Sequence, residues 1–315
     1  MTSIMKTIHL VDASARDIVG AVPLFDPDRQ PLEIFRQQLL ASYAMVAPPM
    51  SSAREEVRIV GTPTVRALIY RPKEATPSRA VLYIHGGGFI GGSAEMTDAV
   101  CVAIAEKHKA LVVSVDYALA PENPFPGPVD QCYTALRWLL NEAPARGIDP
   151  SRIVIMGHSA GGGLAAATAL LHRDRGGAPL AGQVLIYPML DARTGTSAAP
   201  IENESTGEFG WTRGINRFAW NALRGREPIA KEREGHFSPA LAVDLRDLPP
   251  TFLAVGSVDL FLEEDVNYGM RLSRAGVPVD LHVYVGGIHG FDFFPSAIAE
   301  RLAADVTAAL TRLLG

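Results

Sequence analysis

The sequence predicts an α/β fold on a mostly parallel sheet with helices on both faces, and three observations predict it. Short apolar runs alternate with longer segments of helical period from residue 80 onward. Runs such as AVLYI (80–84) and IVIM (153–156) are apolar at every position, which a strand needs only when both faces are covered. Two of these runs end in glycine-rich turns that lead toward helical segments.

Taken in order, residues 1–55 read as mostly helical, with Pro31 opening a helix through LEIFRQQLLASYAMV and Pro48-Pro49 stopping it. Val57–Val60 and Val65–Tyr70 form an antiparallel hairpin around Gly61-Thr62-Pro63. Strands follow at Ala80–Ile84, Leu111–Val115, Ile153–Met156, Val184–Tyr187, Thr251–Val255 and Asp280–Val285. Helices fit Asp98–Lys107, Val129–Asn141, Gly161–Arg173, Glu263–Ala275 and Ala297–Leu314. One stretch breaks the rhythm. Residues 192–226, with Trp211 and Trp220, are too long for a plain loop and read as a lid that joins the N-terminal helices over one end of the sheet. The expected organisation is a cap from residues 1–55 and 192–226, and a catalytic domain from 56–191 and 227–315.

Of the 315 residues, 48% are hydrophobic and 20% charged, which is ordinary globular composition. The net charge of −5 argues against a nucleic-acid surface or a polybasic membrane patch. Two cysteines, Cys101 and Cys132, make neither a disulfide scaffold nor a CxxC zinc motif, and both sit in apolar helical stretches as expected of buried free thiols. The opening MTSIMKTIHLVDASARD is broken by charge and is no secretory core, and no apolar run is long enough to span a bilayer. A cytoplasmic protein is the expectation.

The glycine turns support rival chemistries. The first, His85-Gly86-Gly87-Gly88-Phe89-Ile90-Gly91, contains GxGxxG at Gly86, Gly88 and Gly91, with Asp116 ending the next strand 25 residues later. That is the outline of a dinucleotide site, and so of a nicotinamide-dependent oxidoreductase. The second, Gly157-His158-Ser159-Ala160-Gly161, is GxSxG between an apolar strand and an Ala-rich helix. A serine on so tight a turn projects its hydroxyl above the sheet, and its neighbours must be small. The helix behind it points free N–H groups at the charge that develops during attack.

The remaining groups weigh between the two. A serine hydroxyl needs a general base, and the base an orienting acid. Asp259 follows the strand TFLAV and His289 follows the strand DLHVYV. The order Ser159, Asp259, His289 is the one expected when loops at one sheet edge supply the parts. The triple-glycine turn then supplies an oxyanion hole together with the N–H of Ala160. The nucleotide reading explains one turn; the hydrolase reading explains both turns and the two late residues.

At this point the chain resembles the bacterial hormone-sensitive-lipase-like carboxylesterases of the α/β-hydrolase fold. The carrying residues are HGGGF (85–89), DYALAPE (116–122), GHSAGGG (157–163), IYPMLD (186–191), the Asp259 segment and IHGF (288–291). The resemblance implies an eight-stranded, mostly parallel sheet and a helical cap. It implies Ser159 as nucleophile, His289 as base and acid, Asp259 as orienting carboxylate, and Gly87, Gly88 and Ala160 as oxyanion donors. DYALAPE maps onto a segment supporting the glycine turn. Two positions depart from the family pattern: His158 stands where Asp is usual, and Asp259-Leu260-Phe261-Leu262-Glu263-Glu264 replaces D-x-L-x-D-E.

Blander roles compete at several positions. His85 suits a loop-holding role, and His158 points away from the nucleophile on so sharp a turn. Glu263, Glu264, Asp265 and Asp292 are rival acids, though the first three also suit a helix's first turn. Phe89, Phe209, Trp211, Phe218, Trp220 and Ile288 either line an acyl pocket or form the lid's own core. His9, His108, His172, His236 and His282 show no metal spacing. The expected activity is hydrolysis of small, short-acyl esters through an acyl-enzyme, with no metal or organic cofactor. The partner is a small-molecule ester, without nucleic acid or membrane span, and a homodimer is in keeping with the family. An amidase or peptidase on the same fold is the nearest alternative. A non-catalytic receptor on this scaffold is disfavoured by the presence of His289.

Overall fold

The computed structural model describes residues 5–19, 25–46 and 54–315. Eight strands form one sheet: β1 (Glu55–Ile59), β2 (Val65–Tyr70), β3 (Ala80–Ile84), β4 (Leu111–Asp116), β5 (Ile153–His158), β6 (Gly182–Ile186), β7 (Thr251–Gly256) and β8 (Val279–Tyr284). Their spatial order is β1-β2-β4-β3-β5-β6-β7-β8. β2 runs antiparallel to β1 and to β4, and every other pairing is parallel.

The helices are α1 (Arg16–Val19), α2 (Leu32–Val46), α3 (Asp98–His108), α4 (Gly127–Glu142), α5 (Ala160–Asp174), α6 (Arg213–Arg224), α7 (Glu234–Phe237), α8 (Leu262–Arg274) and α9 (Ala297–Leu314). The all-apolar strands are explained by two cores. Ile69, Leu82, Ile84, Val113, Ile155, Leu185 and Leu253 face α4, α5 and α8. Leu68, Val81, Tyr83, Val112, Met156, Ile186 and Phe252 face α3 and α9. Alternation along each strand sends successive side chains to opposite cores. Cys101 on α3 and Cys132 on α4 are buried free thiols.

The sequence boundaries shift by a residue or two, for local reasons. β1 starts at Glu55, inside the stretch expected to be helical, and ends before Val60, because Glu55–Ile59 pairs with Val65–Ile69. β5 runs on to His158, which pairs with Ile186, so the strand reaches the residue before the turn. β6 stops at Ile186 because Tyr187 takes a φ of 36° and leaves the extended path. α4 starts at Gly127 rather than Val129, with Pro128 in its first turn. The expected stop at Pro48-Pro49 lies outside the described residues.

Because β3 and β5 to β8 are parallel, the turns after β3, β5, β7 and β8 all emerge at one edge. Over that edge lies the segment between β6 and β7. Its amphipathic α6 buries Ile215, Ala219, Trp220 and Leu223, and Thr212 caps it by accepting from Ile215 N–H. N-terminal residues meet it from the other side. Phe35 of α2 stands 6.3 Å from Trp211, and Phe25 stands 6.2 Å from Phe218. The Glu208 carboxylate accepts from Lys6 N–H at 2.9 Å and Thr7 N–H at 2.7 Å. By Ser238 the chain is back on the sheet's body, where the hydroxyl donates to Leu190 O at 2.9 Å. Among the described residues no helix is long and apolar enough to cross a membrane.

Candidate active site

Ser159 stands between β5 and α5 with φ 55° and ψ −123°, a conformation that a side-chain-bearing residue adopts only when its surroundings enforce it. The enforcement is visible. A β-carbon on Gly157 would run into the carbonyl of Gly161, and one on Gly161 into the carbonyls of Ile84 and His85. Ser159 N–H donates to Ile186 O at 2.9 Å, and Ser159 O accepts from Gly163 N–H and Met189 N–H at 3.0 Å each. The spacing of GxSxG is therefore a packing requirement of this junction.

Above the turn, Ser159 Oγ is 2.8 Å from His289 Nε2. On the other side of the ring, His289 Nδ1 is 2.9 Å from Asp259 Oδ2. Asp259 is wholly buried, and its Oδ1 accepts from Phe261 N–H at 2.9 Å, which fixes the carboxylate plane. A carboxylate at Nδ1 keeps that nitrogen protonated and leaves Nε2 free to accept the serine proton. Three rings enclose the imidazole: Tyr187 at 4.8 Å, Phe261 at 5.0 Å and Trp211 at 6.1 Å between centroids.

The turn after β3 lies beside this row. Among the described residues, no backbone acceptor takes the N–H of Gly87, Gly88 or Ala160. Gly88 has φ 64°, and a β-carbon on it would enter the indole of Trp211. The turn is held from behind. His85 is wholly buried and sets Nδ1 2.7 Å from Gly86 O. Its ring stacks on Tyr117 at 4.3 Å, and the Tyr117 hydroxyl donates to His85 O. Burial pushes the His85 imidazole below its ordinary pKa, so it is neutral at pH 7. Arg36 of α2 donates to Ile90 O at 2.7 Å and Ala120 O at 3.1 Å, and grips both oxygens of Glu122. Arg36 was not singled out in the sequence. The available signal was an arginine between Phe35 and Leu39 on a helix face otherwise turned inward.

The outline of a dinucleotide site dissolves here. Asp116 accepts from Ala94 N–H at 3.0 Å and pairs with Arg66 at 2.8 Å, and Trp211 fills the space over Gly88. The rival acids also lie elsewhere. Glu263 accepts from Asn203 Nδ2, and Glu264 accepts from Leu190 N–H at 2.6 Å and Asp191 N–H at 3.0 Å. The Asp265 carboxylate is wholly buried and, among the described residues, has no hydrogen-bond partner, and Asp292 faces His158 and Tyr187 rather than His289. Phe89 packs its ring on Trp220 at 5.1 Å, Phe209 and Ile288 are buried on the α3/α9 side, and Phe218 meets Phe25. Trp211 alone of the named aromatics touches both the glycine turn and the His289 ring. Among the described residues no cluster of His, Cys, Asp or Glu is arranged to hold a metal ion.

With this geometry in view, the comparisons are specific. A family profile described as alpha/beta hydrolase fold matches residues 81–293. The chain is 36% identical to the esterase LipI of Mycobacterium tuberculosis over 217 residues, 67% of this chain and 65% of that protein. It is 32% identical to the carboxylesterase NlhH of the same organism over 317 residues, 96% of each chain. The solved structure titled bacterial heroin esterase superposes with a TM-score of 0.88 at 35% identity, covering 98% of this chain and 100% of that one.

Proposed function

The chain belongs to the alpha/beta hydrolase fold family and is a carboxylic ester hydrolase, and from that premise we propose that Ser159, His289 and Asp259 perform the reaction. Ser159 Oγ attacks the ester carbonyl as His289 Nε2 takes its proton. The carbonyl oxygen becomes an oxyanion that accepts from the N–H groups of Gly87, Gly88 and Ala160. His289 then protonates the departing alkoxide, leaving an acyl ester on Ser159. Water attacks this ester while His289 takes its proton. Collapse returns the proton to Ser159 and releases the carboxylic acid. Asp259 holds the imidazole in the required tautomer and offsets the charge it gains.

The observation that carries the reading is the unbroken row of hydrogen bonds from Ser159 through His289 to Asp259, at 2.8 Å and 2.9 Å. The described residues before β1 and residues 192–226 act as the cap, supported by the Glu208 contacts with Lys6 and Thr7 and by Trp211 over Gly88. The substrate is a small, short-acyl ester, since the indole narrows the space above the glycine turn. A cytoplasmic location fits the two buried free thiols, and a homodimer suits the family. The test is a chain-length series of p-nitrophenyl esters beside a triglyceride emulsion. Acetate and butyrate turn over fastest; faster turnover of the emulsion contradicts the short-acyl assignment.

A further inference from the structure

His158 and Asp292, each a rival for a catalytic part in the sequence, meet each other instead. His158 Nε2 lies 3.5 Å from Asp292 Oδ2, and His158 Nδ1 lies 2.8 Å from the Tyr83 hydroxyl. The Tyr187 hydroxyl donates to Asp292 Oδ1 at 2.6 Å, and the Tyr187 ring stands edge-on to His289. The four side chains come from β3, the end of β5, the residue after β6 and the loop after β8.

Their protonation states fit one arrangement. Burial pushes the phenols of Tyr83 and Tyr187 far up, so both remain donors. Burial also pushes Asp292 up, but the facing His158 ring and the hydrogen bond from Tyr187 outweigh it and keep the carboxyl below its ordinary range. With Tyr83 donating to Nδ1, the proton of His158 sits on Nε2, which faces the Asp292 carboxylate.

The loop bearing His289 is anchored on both sides of that residue. Before it, Gly287 O accepts from Val258 N–H at 2.9 Å, and Gly286 N–H donates to Ser257 Oγ at 2.9 Å. After it, among the described residues, the loop's polar contacts with the sheet are those of Asp292. This second anchor ends on His158, the residue covalently joined to Ser159.

We infer that His158 and Asp292 are positioning residues for ester hydrolysis, tying the nucleophile's strand to the loop of His289 and so setting the Ser159–His289 approach. The inference rests on the roles proposed above for Ser159 and His289. A small misplacement of a reacting group costs far more in rate than in binding.

The test begins with the parent chain, labelled by a fluorophosphonate and assayed with p-nitrophenyl acetate. Adduct on Ser159 secures the underlying reading independently of the tether. Asp292→Ala and His158→Phe are then each expected to lower kcat by about tenfold to a hundredfold with KM within about twofold. His158→Gln, whose amide N–H replaces Nε2–H at the same bond count, is expected to recover most of the lost kcat. The double variant is expected to be no slower than the worse single one, because both remove one contact. Thermal unfolding is followed throughout. If Asp292→Ala does not fold, Asp292→Asn replaces it, since it keeps an acceptor for Tyr187 and loses the charge facing His158. Parental kcat in the Asp292 variant, multiplicative losses in the double variant, or equal losses for His158→Gln and His158→Phe each overturn the inference.

Discussion

The indole of Trp211 occupies the space that a β-carbon on Gly88 would need. The segment between β6 and β7 and the glycine turn are thus fitted to each other beside the proposed oxyanion hole. Gly88→Ala would also have to hold a φ of 64°, which disfavours any side chain. We expect kcat/KM to fall by roughly 10²–10³, the scale of losing one oxyanion donor. Steady-state kinetics on p-nitrophenyl acetate check this, and an unchanged kcat/KM would remove Gly88 from the proposed hole.

Asp259→Asn should separate chemistry from folding. Its remaining oxygen still accepts from Phe261 N–H, so the turn survives. The amide offers His289 no carboxylate and favours the wrong tautomer, so kcat should fall by about 10⁴. The unfolding midpoint should stay near the parent's. A loss under tenfold would pass the orienting role to another acid.

Arg36 grips two carbonyls and one carboxylate, and these contacts differ in weight. Glu122 is 61% exposed at its side chain, so that pair contributes about 0–1 kcal/mol. The carbonyls of Ile90 and Ala120 have no such access to water and belong to the support of the glycine turn. Glu122→Gln should therefore leave activity within about twofold, while Arg36→Ala lowers kcat about tenfold by loosening the turn. Equal effects would show that the ion pair, not the carbonyl contacts, is what matters.

Asp265 gives a pH prediction. Burial, then the neighbouring Glu264 and Asp259 charges, push its carboxyl well above the ordinary 3.8. The folded state then binds a proton that the unfolded state releases, so its stability declines as pH rises above that value. Asp265→Asn keeps the shape and removes the titration. Its advantage in unfolding midpoint should be smallest near pH 4 and grow toward neutrality. A constant difference across that range would contradict the buried, raised carboxyl.

Much of this arrangement was legible because it is local. GxSxG reports steric needs between residues 157 and 161, and the all-apolar strands report two-sided burial. Ser159, Asp259 and His289 could be named from the sequence because each follows a predicted strand, and the structure brings their side chains into one row. The supports were not legible, because they depend on contacts between distant segments that leave no periodic trace. Arg36 meets Glu122 across 86 positions, and Tyr187 meets Asp292 across 105. Asp292 and His158 both drew attention in the sequence. Nothing there told that they would face each other rather than His289.

In the proposed reaction Ser159 is made nucleophilic by His289, which lies 130 positions away in the chain and 2.8 Å away in space. The direct measurement is fluorophosphonate labelling at neutral pH followed by peptide mapping, on the parent and on His289→Ala. One adduct is expected, on Ser159, formed rapidly in the parent and slowed by at least about 10³-fold in the variant. An adduct on another residue, or equal labelling of Ser159 in both chains, would contradict it.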